Sequence, residues 1–306
     1  MDRSHESPHP DRSLRRAAPR DSAWCVAPGL LLLAALLQLT VTTAVLAAEP
    51  FKRIASVNLC LDEIVQRIAA PRQLVAVSSV AHDPSLSTIA AEVGSLPGLD
   101  LRGERVLALR PDVLLVHDYG GAAVKAILRQ QGVTVVELPM ALDLESAAQQ
   151  AIAIGKAIGR PSQGGALAEA MQQTTARLTS VQEHYKQWPL AAFWQPNGGT
   201  EGRGTLADDL LNRAGFRNLA TELGISGFGV IPIETLILHQ PSVLVVDGTA
   251  RTSRSLAEML QVHPALRAAG VDSAIVDVPR RTTVCAGPQS LQALALLVQA
   301  RQVLRK

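Results

Sequence analysis

The chain has 306 residues, which is enough for two domains of ordinary size with cores of their own. Aliphatic side chains must fill those cores, because only 3% of the residues are aromatic. The formal net charge is +2, which gives no electrostatic reason to expect nucleic acid as a partner.

The first 47 residues have the three parts of a secretory signal peptide. Arginines come first, an apolar run follows at 29–37, and small residues close the segment at 44–48. We therefore expect cleavage after Ala47 or Ala48 and a mature protein in the periplasm. An uncleaved membrane anchor is the alternative, since the apolar run approaches the length that spans a bilayer.

Two segments in the rest of the chain echo each other. ERVLALRPDVLLV at 104–116 recurs as ETLILHQPSVLVV at 234–246, and each copy predicts two helical turns ended by proline, then a short buried strand. An internal correspondence of this kind indicates two similarly built halves. Strands alternate with helices in both halves, which predicts an α/β fold with mostly parallel sheets covered on both faces.

We therefore predict an N-terminal α/β lobe at 48–142, a helical linker at 143–187 and a C-terminal α/β lobe at 188–306. Asp143 is expected to cap the first linker helix. Pro161 suits the first turn of a longer helix that reaches about Gln187. A helix of that size spans about 37 Å, comparable to the diameter of a domain, and would join the lobes stiffly.

Four sequence blocks stand out in order and spacing: RIASVNLCLDE at 53–63, the segment at 104–116, GFRNL at 215–219 and the segment at 234–246. Together they resemble the helical-backbone class of periplasmic binding proteins, which serve ABC importers of ferric siderophores, heme and cobalamin. The resemblance implies two Rossmann-like lobes joined by a long helix, with the ligand in the cleft between them. It also implies that Glu104 and Glu234 contact arginines of the inner-membrane permease. Alternatively, each carboxylate only opposes the dipole of its helix.

Side chains that follow the carboxyl ends of the predicted strands are the candidates for ligand contact, because ligands bind there in open parallel sheets. They are His82, Asp83, His117, Asp118, Tyr119, Trp194, Gln195, Phe228, Arg280 and Arg281. The three aromatic rings suit a macrocycle or a chelate shell, with core packing as the alternative for Phe228 and, less strongly, for Trp194. The two arginines suit an anionic ligand, with a solvated loop pair as the alternative.

Direct metal coordination by His82, His117 and the aspartates beside them is a further alternative. No compact histidine spacing supports it, and a chelated metal needs no protein ligands. Cys60 and Cys285 each follow a strand, one in each half. An oxidising compartment permits a disulfide between them if their Cα atoms approach within about 7 Å. The alternative is two buried or cleft-lining thiols.

We expect a monomeric solute-binding protein, without cofactor or enzymatic activity, that delivers a ferric siderophore or corrinoid to an ABC permease. The chain after the predicted signal peptide lacks the GxSxG, P-loop, HExxH and CxxC motifs. The glycine-rich run at 198–204 does not have dinucleotide-binding spacing and is expected to be a flexible cleft loop. A binding protein for free zinc or manganese is the main alternative, and a periplasmic enzyme on a Rossmann-like fold is a weaker one.

Overall fold

The computed structural model describes residues 53–180, 187–247, 263–268 and 275–304. The predicted signal peptide and its cleavage site lie outside these ranges. None of the helices within them combines the length and the apolar character that crossing a bilayer requires.

The N-terminal lobe is built on a five-stranded parallel sheet with the strand order β3-β2-β1-β4-β5. Its strands are β1 (Ile54–Ser56), β2 (Leu74–Ser78), β3 (Gly98–Leu99), β4 (Val113–His117) and β5 (Thr134–Leu138). Its helices are α1 (Leu59–Ile68), α2 (Ala90–Val93), α3 (Gly103–Ala108) and α4 (Ala122–Gln130). The central strands β1 and β4 are buried at every position, as expected for parallel strands covered by helices on both faces.

The C-terminal lobe repeats this plan with a four-stranded parallel sheet in the order β11-β10-β6-β8. The strands are β6 (Leu190–Phe193), β7 (Gly199–Glu201), β8 (Arg217–Asn218), β9 (Phe228–Val230), β10 (Val243–Val246) and β11 (Ile275–Asp277). The helices are α7 (Leu206–Arg213), α8 (Leu219–Glu222), α9 (Ile233–His239), α10 (Pro264–Ala268) and α11 (Ser290–Val303). The predicted α/β fold with two lobes and mostly parallel sheets is therefore confirmed.

The glycine-rich run at 198–204 differs from the prediction. It was expected to be a flexible loop, but β7 pairs with β9 in a two-stranded antiparallel ribbon. Gly198 and Gly202 lie so close to the carbonyl groups of Ile231 and Ile225 that neither position leaves room for a Cβ atom. These glycines allow backbone segments at the ribbon to pack in close contact.

Two linker helices connect the lobes: α5 (Leu144–Ala157) and α6 (Pro161–Thr179). Asp143 caps α5 as predicted, in a reciprocal capping box with Ser146, and Pro161 occupies the first turn of α6. The predicted continuation of this helix to about Gln187 runs through 181–186, which lie outside the described ranges.

One apolar core runs through both lobes and the linker. It contains buried side chains from β1 and α1, from the two linker helices, and from α7 and α11. The lobes are therefore joined by core packing as well as by the linker helices. The sequence analysis did not predict this packing. A shared core of this kind favours small changes in the angle between the lobes over wide separation.

Candidate functional site

A disulfide shows where the two parallel sheets meet. Cys60 and Cys285 are joined, with their Cα atoms 5.2 Å apart. Cys60 lies in the first turn of α1, directly after the carboxyl end of β1. Cys285 follows the 3₁₀ turn Arg280–Thr282, which comes after the carboxyl end of β11. The bond thus joins the segments that follow the carboxyl ends of the two sheets, and ligands of such sheets bind beyond these ends.

A second link between the lobes lies after the carboxyl end of β5. The backbone N–H of Leu144 donates to a carboxylate oxygen of Asp209 on α7, at 3.1 Å. Arg213 donates to both oxygens of the same carboxylate, at 2.8 Å each. One polar contact therefore ties the start of the linker to the C-terminal lobe. Together with the disulfide it gives two links between segments that follow strand ends in the two lobes.

The carboxyl end of β4 carries a stacked pair of rings. The ring centroids of His117 and Tyr119 lie 5.1 Å apart, and the ring planes differ by 16°. His117 is buried, with Nδ1 3.1 Å from the carbonyl oxygen of Leu138. Tyr119 is 56% exposed, and its neighbour Asp118 is exposed as well. The pair offers an accessible aromatic ring that rests on a buried one.

Sequence reasoning missed Lys125, which contacts the backbone that carries this pair. Its side chain is almost fully buried, and its ammonium group contacts the backbone at the end of β4. One local signal was available, because a lysine near the start of a helix opposes the helix dipole. A charged side chain on an otherwise apolar face of the helix indicates that Lys125 contacts groups from other parts of the chain.

His82 and Asp83 follow β2 and are held by local contacts. His82 is half-buried, with Nε2 3.0 Å from the carbonyl oxygen of Leu96. Asp83 is exposed and accepts hydrogen bonds from the hydroxyl and the backbone N–H of Ser85, which lower its pKa. Within the described ranges, no three His, Cys, Asp or Glu side chains converge in a geometry suited to a metal ion.

Trp194 is buried in the core of this structure, which favours the core-packing alternative over the predicted ligand wall. The side chain has no exposed surface, and its indole N–H donates to the carbonyl oxygen of Ile231 at 3.0 Å. It packs in a cluster with Leu219 and Leu244. A ring without accessible surface offers nothing to a ligand in this structure. The neighbouring Gln195 is half-buried, and its backbone N–H donates to Gly199.

The ribbon exposes apolar side chains instead. Phe228 is 83% exposed and Val230 is 63% exposed, so Phe228 does not pack in a core. Glu201 stands opposite Phe228 in the ribbon register, and directly opposed residues share one face. Burial raises the pKa of Glu201, against the opposing effects of a backbone hydrogen bond from Ala207 and the positive charge of Arg280. An exposed ring therefore stands opposite a half-buried carboxylate, and the positive charge of Arg280 acts on that carboxylate.

The remaining predicted residues are accessible to different degrees. Arg280 is exposed and Arg281 is half-buried, both within the 3₁₀ turn that leads to Cys285. Glu104 and Glu234 are exposed in the first turns of α3 and α9, the helices that precede the equivalent strands β4 and β10. The structure thus places these two carboxylates at corresponding positions in the two lobes.

The comparisons with known proteins agree with this architecture. A family model described as periplasmic binding protein matches residues 54–269. A cobalamin-binding protein from Halobacterium salinarum is 22% identical over 212 residues, which cover 68% of this chain and 57% of that protein. The match therefore spans little more than half of the relative's length.

Two solved structures have similar folds over most of this chain. A periplasmic heme-binding protein from Roseiflexus sp. RS-1 has a TM-score of 0.69 at 24% identity, covering 82% of this chain and 100% of that one. A periplasmic heme-binding protein from Pseudomonas aeruginosa has a TM-score of 0.64 at 28% identity, covering 82% and 92%. With the family model matching more than half of its residues, the chain belongs to the periplasmic binding protein family.

Proposed function

We propose that this chain is the solute-binding component of an ABC importer. It is exported to the periplasm, binds a metal chelate in the cleft between its lobes and delivers it to the inner-membrane permease. The observation that carries the proposal is the meeting of the carboxyl ends of two parallel sheets at the disulfide, which is where such sheets bind ligands. A binding role without turnover fits the family to which the chain belongs.

The exposed side chains favour a bulky ligand with apolar surface. Tyr119 in one lobe and Phe228 in the other are accessible in a protein that has few aromatic residues. Flat rings of this kind suit the face of a macrocycle or the outer shell of a chelate, and Arg280 suits an anionic substituent. Cobalamin and heme are named for the relatives, and both are metal chelates.

The proposal is tested by ligand-induced stabilisation of the mature protein. We expect one of four compounds to raise the melting temperature: cyanocobalamin, hemin, a ferric trihydroxamate or a ferric triscatecholate. A ligand that binds only the folded state stabilises it by about 2.7 kcal/mol at a hundredfold excess over Kd. Isothermal titration calorimetry then gives the affinity and the stoichiometry.

Zinc chloride and manganese chloride serve as controls in the same experiment, because they separate a chelate from a free metal ion as cargo. We expect neither salt to change the melting temperature. Stabilisation by zinc or manganese, combined with no response to the four chelates, would show that the proposed ligand class is wrong.

A further inference from the structure

We propose that Lys125 is a positioning residue that holds the His117–Tyr119 pair in place for the ligand. The binding part of this inference rests on the proposed function. Lys125 contacts no ligand itself, because its side chain is only 2% exposed. It acts through the backbone that carries the two rings.

All three donors of the Lys125 ammonium group have acceptors. Nζ lies 2.8 Å from the carbonyl oxygen of His117, 3.0 Å from that of Asp118 and 2.7 Å from Oε2 of Glu137. An ammonium group has three N–H bonds, so these contacts use its full capacity. The side chain therefore binds two consecutive carbonyl groups, and the carboxylate of Glu137 balances its positive charge.

This arrangement is costly for a residue that only fills space. A buried ammonium group loses its hydration, and its position near the start of α4 places it against the helix dipole. Glu137 offsets part of this cost, since the hydrogen bonds from Lys125 and Arg129 lower the pKa of this carboxyl and keep it charged. A buried apolar side chain would avoid the desolvation, but it could not hold two carbonyl groups.

The two carbonyl groups lie at the point where the chain leaves the sheet. The pairing of β4 with β5 ends at His117 and Leu138. Beyond it, Gly120 and Gly121 both have positive φ angles, and the chain turns into α4. Asp118 and Tyr119 are the residues between the end of the strand and these glycines. By fixing the peptide planes of the two preceding residues, Lys125 sets the direction in which the Tyr119 ring leaves the backbone.

Nuclear magnetic resonance tests the positioning without any ligand. The chain has two tyrosines, Tyr119 and Tyr185, so ring-labelled tyrosine gives two sets of signals, and the Tyr185→Phe variant assigns them. We expect Lys125→Met to move the Tyr119 ring signals towards those of a free tyrosine, because the ring loses its stacked partner. Unchanged Tyr119 signals in a folded Lys125→Met protein would overturn the proposal.

Arg129→Met is the matched control. Arg129 contacts the same carboxylate of Glu137, but its side chain is 47% exposed, and its guanidinium group contributes no hydrogen bond to the carbonyl groups of His117 and Asp118. We expect its removal to leave the Tyr119 signals in place. If Lys125→Met does not fold, Lys125→Gln, which keeps an N–H donor on a shorter neutral side chain, is judged by the same signals.

A double-mutant cycle tests the link to binding, using whichever of the four chelates binds the wild-type protein. We expect Lys125→Met to weaken binding by roughly tenfold. In the Tyr119→Ala background it should have no further effect, because the ring that it positions is gone. An equal loss of affinity in both backgrounds would overturn the proposal. If none of the four compounds binds, the proposed function fails by itself, and the ring signals still decide whether Lys125 holds the pair.

Discussion

At the scale of single residues, Asp62 gives the protein a pH-dependent stability. Its carboxylate is fully buried on α1 and accepts hydrogen bonds from the backbone N–H and the hydroxyl of Ser78. Burial raises its pKa from 3.8 to about 6, because the charged form loses its hydration. The folded state therefore binds this proton more tightly than the unfolded state. The resulting stabilisation is complete below pH 3.8 and is lost as the pH rises through about 6.

We expect Asp62→Asn to remove this dependence. Between pH 4 and pH 7, the free energy of unfolding of the wild type should fall by up to about 3 kcal/mol relative to the variant. Urea denaturation at several pH values measures the difference. Asp83→Asn is the control with the opposite sign, because the pKa of Asp83 is lowered and its stabilisation is lost as the pH falls. A constant difference between the wild type and Asp62→Asn would contradict the prediction.

Trp194 and Phe228 are expected to respond in opposite ways to truncation. Trp194→Ala should cost about 3–5 kcal/mol of stability, because it empties a buried site. Phe228→Ala should change stability by no more than about 0.5 kcal/mol, since the ring is exposed, and should weaken binding of the chelate. Denaturation and calorimetric titration of the two variants make the comparison. If Trp194→Ala leaves stability intact, the assignment of Trp194 to the core is wrong.

At the scale of elements, the disulfide joins the start of α1 to the segment before α11. The two cysteines are 225 positions apart, so the bond closes a long loop of the unfolded chain. In the chain-entropy model, a loop of this size stabilises the folded state by about 5 kcal/mol. The bond also crosses from one lobe to the other, so it limits how far the carboxyl ends of the two sheets can separate.

We expect the double variant Cys60→Ala, Cys285→Ala to unfold at lower urea concentration than the wild type and to show a larger mean radius of gyration without ligand. Denaturation curves and small-angle X-ray scattering measure the two effects. Tris(2-carboxyethyl)phosphine should destabilise the wild type and leave the double variant unchanged, which serves as the control. Equal stability of the wild type with and without reductant would count against the bond as a constraint.

At the scale of the whole molecule, the duplicated carboxylates predict how the protein would dock on the proposed permease. Glu104 and Glu234 are exposed at corresponding positions of the two lobes, where each can form a charge-assisted pair with a two-fold symmetric partner. We expect Glu104→Ala combined with Glu234→Ala to impair import and to leave the affinity for the chelate unchanged. Transport into cells or proteoliposomes, compared with calorimetric titration, separates the two effects.

Glu92→Ala combined with Glu169→Ala is the matched control for this double variant. Both residues are exposed, and their loss changes the net charge by the same amount. The control should transport like the wild type. Loss of chelate affinity in the Glu104 and Glu234 variant would assign these residues to the ligand site and not to docking.

Local signals in the sequence were enough to predict the overall plan. The capping residue Asp143, the first-turn Pro161 and the two echoing segments each act through neighbours a few positions away, so the pattern alone predicts the helices, the buried strands and the two lobes. The same alternation of strands and helices predicted which residues follow the strand ends and are therefore candidates for ligand contact.

Only the tertiary structure decided which of these candidates are accessible. Trp194 and Phe228 both lie near predicted strand ends, yet one is buried against Ile231 and the other projects from a ribbon. The disulfide and the role of Lys125 depend likewise on groups brought together from different parts of the chain. The physical reason is that burial and hydrogen-bond partners are set by which distant segments come within a few ångströms, whereas helix and strand periodicity is a property of adjacent residues.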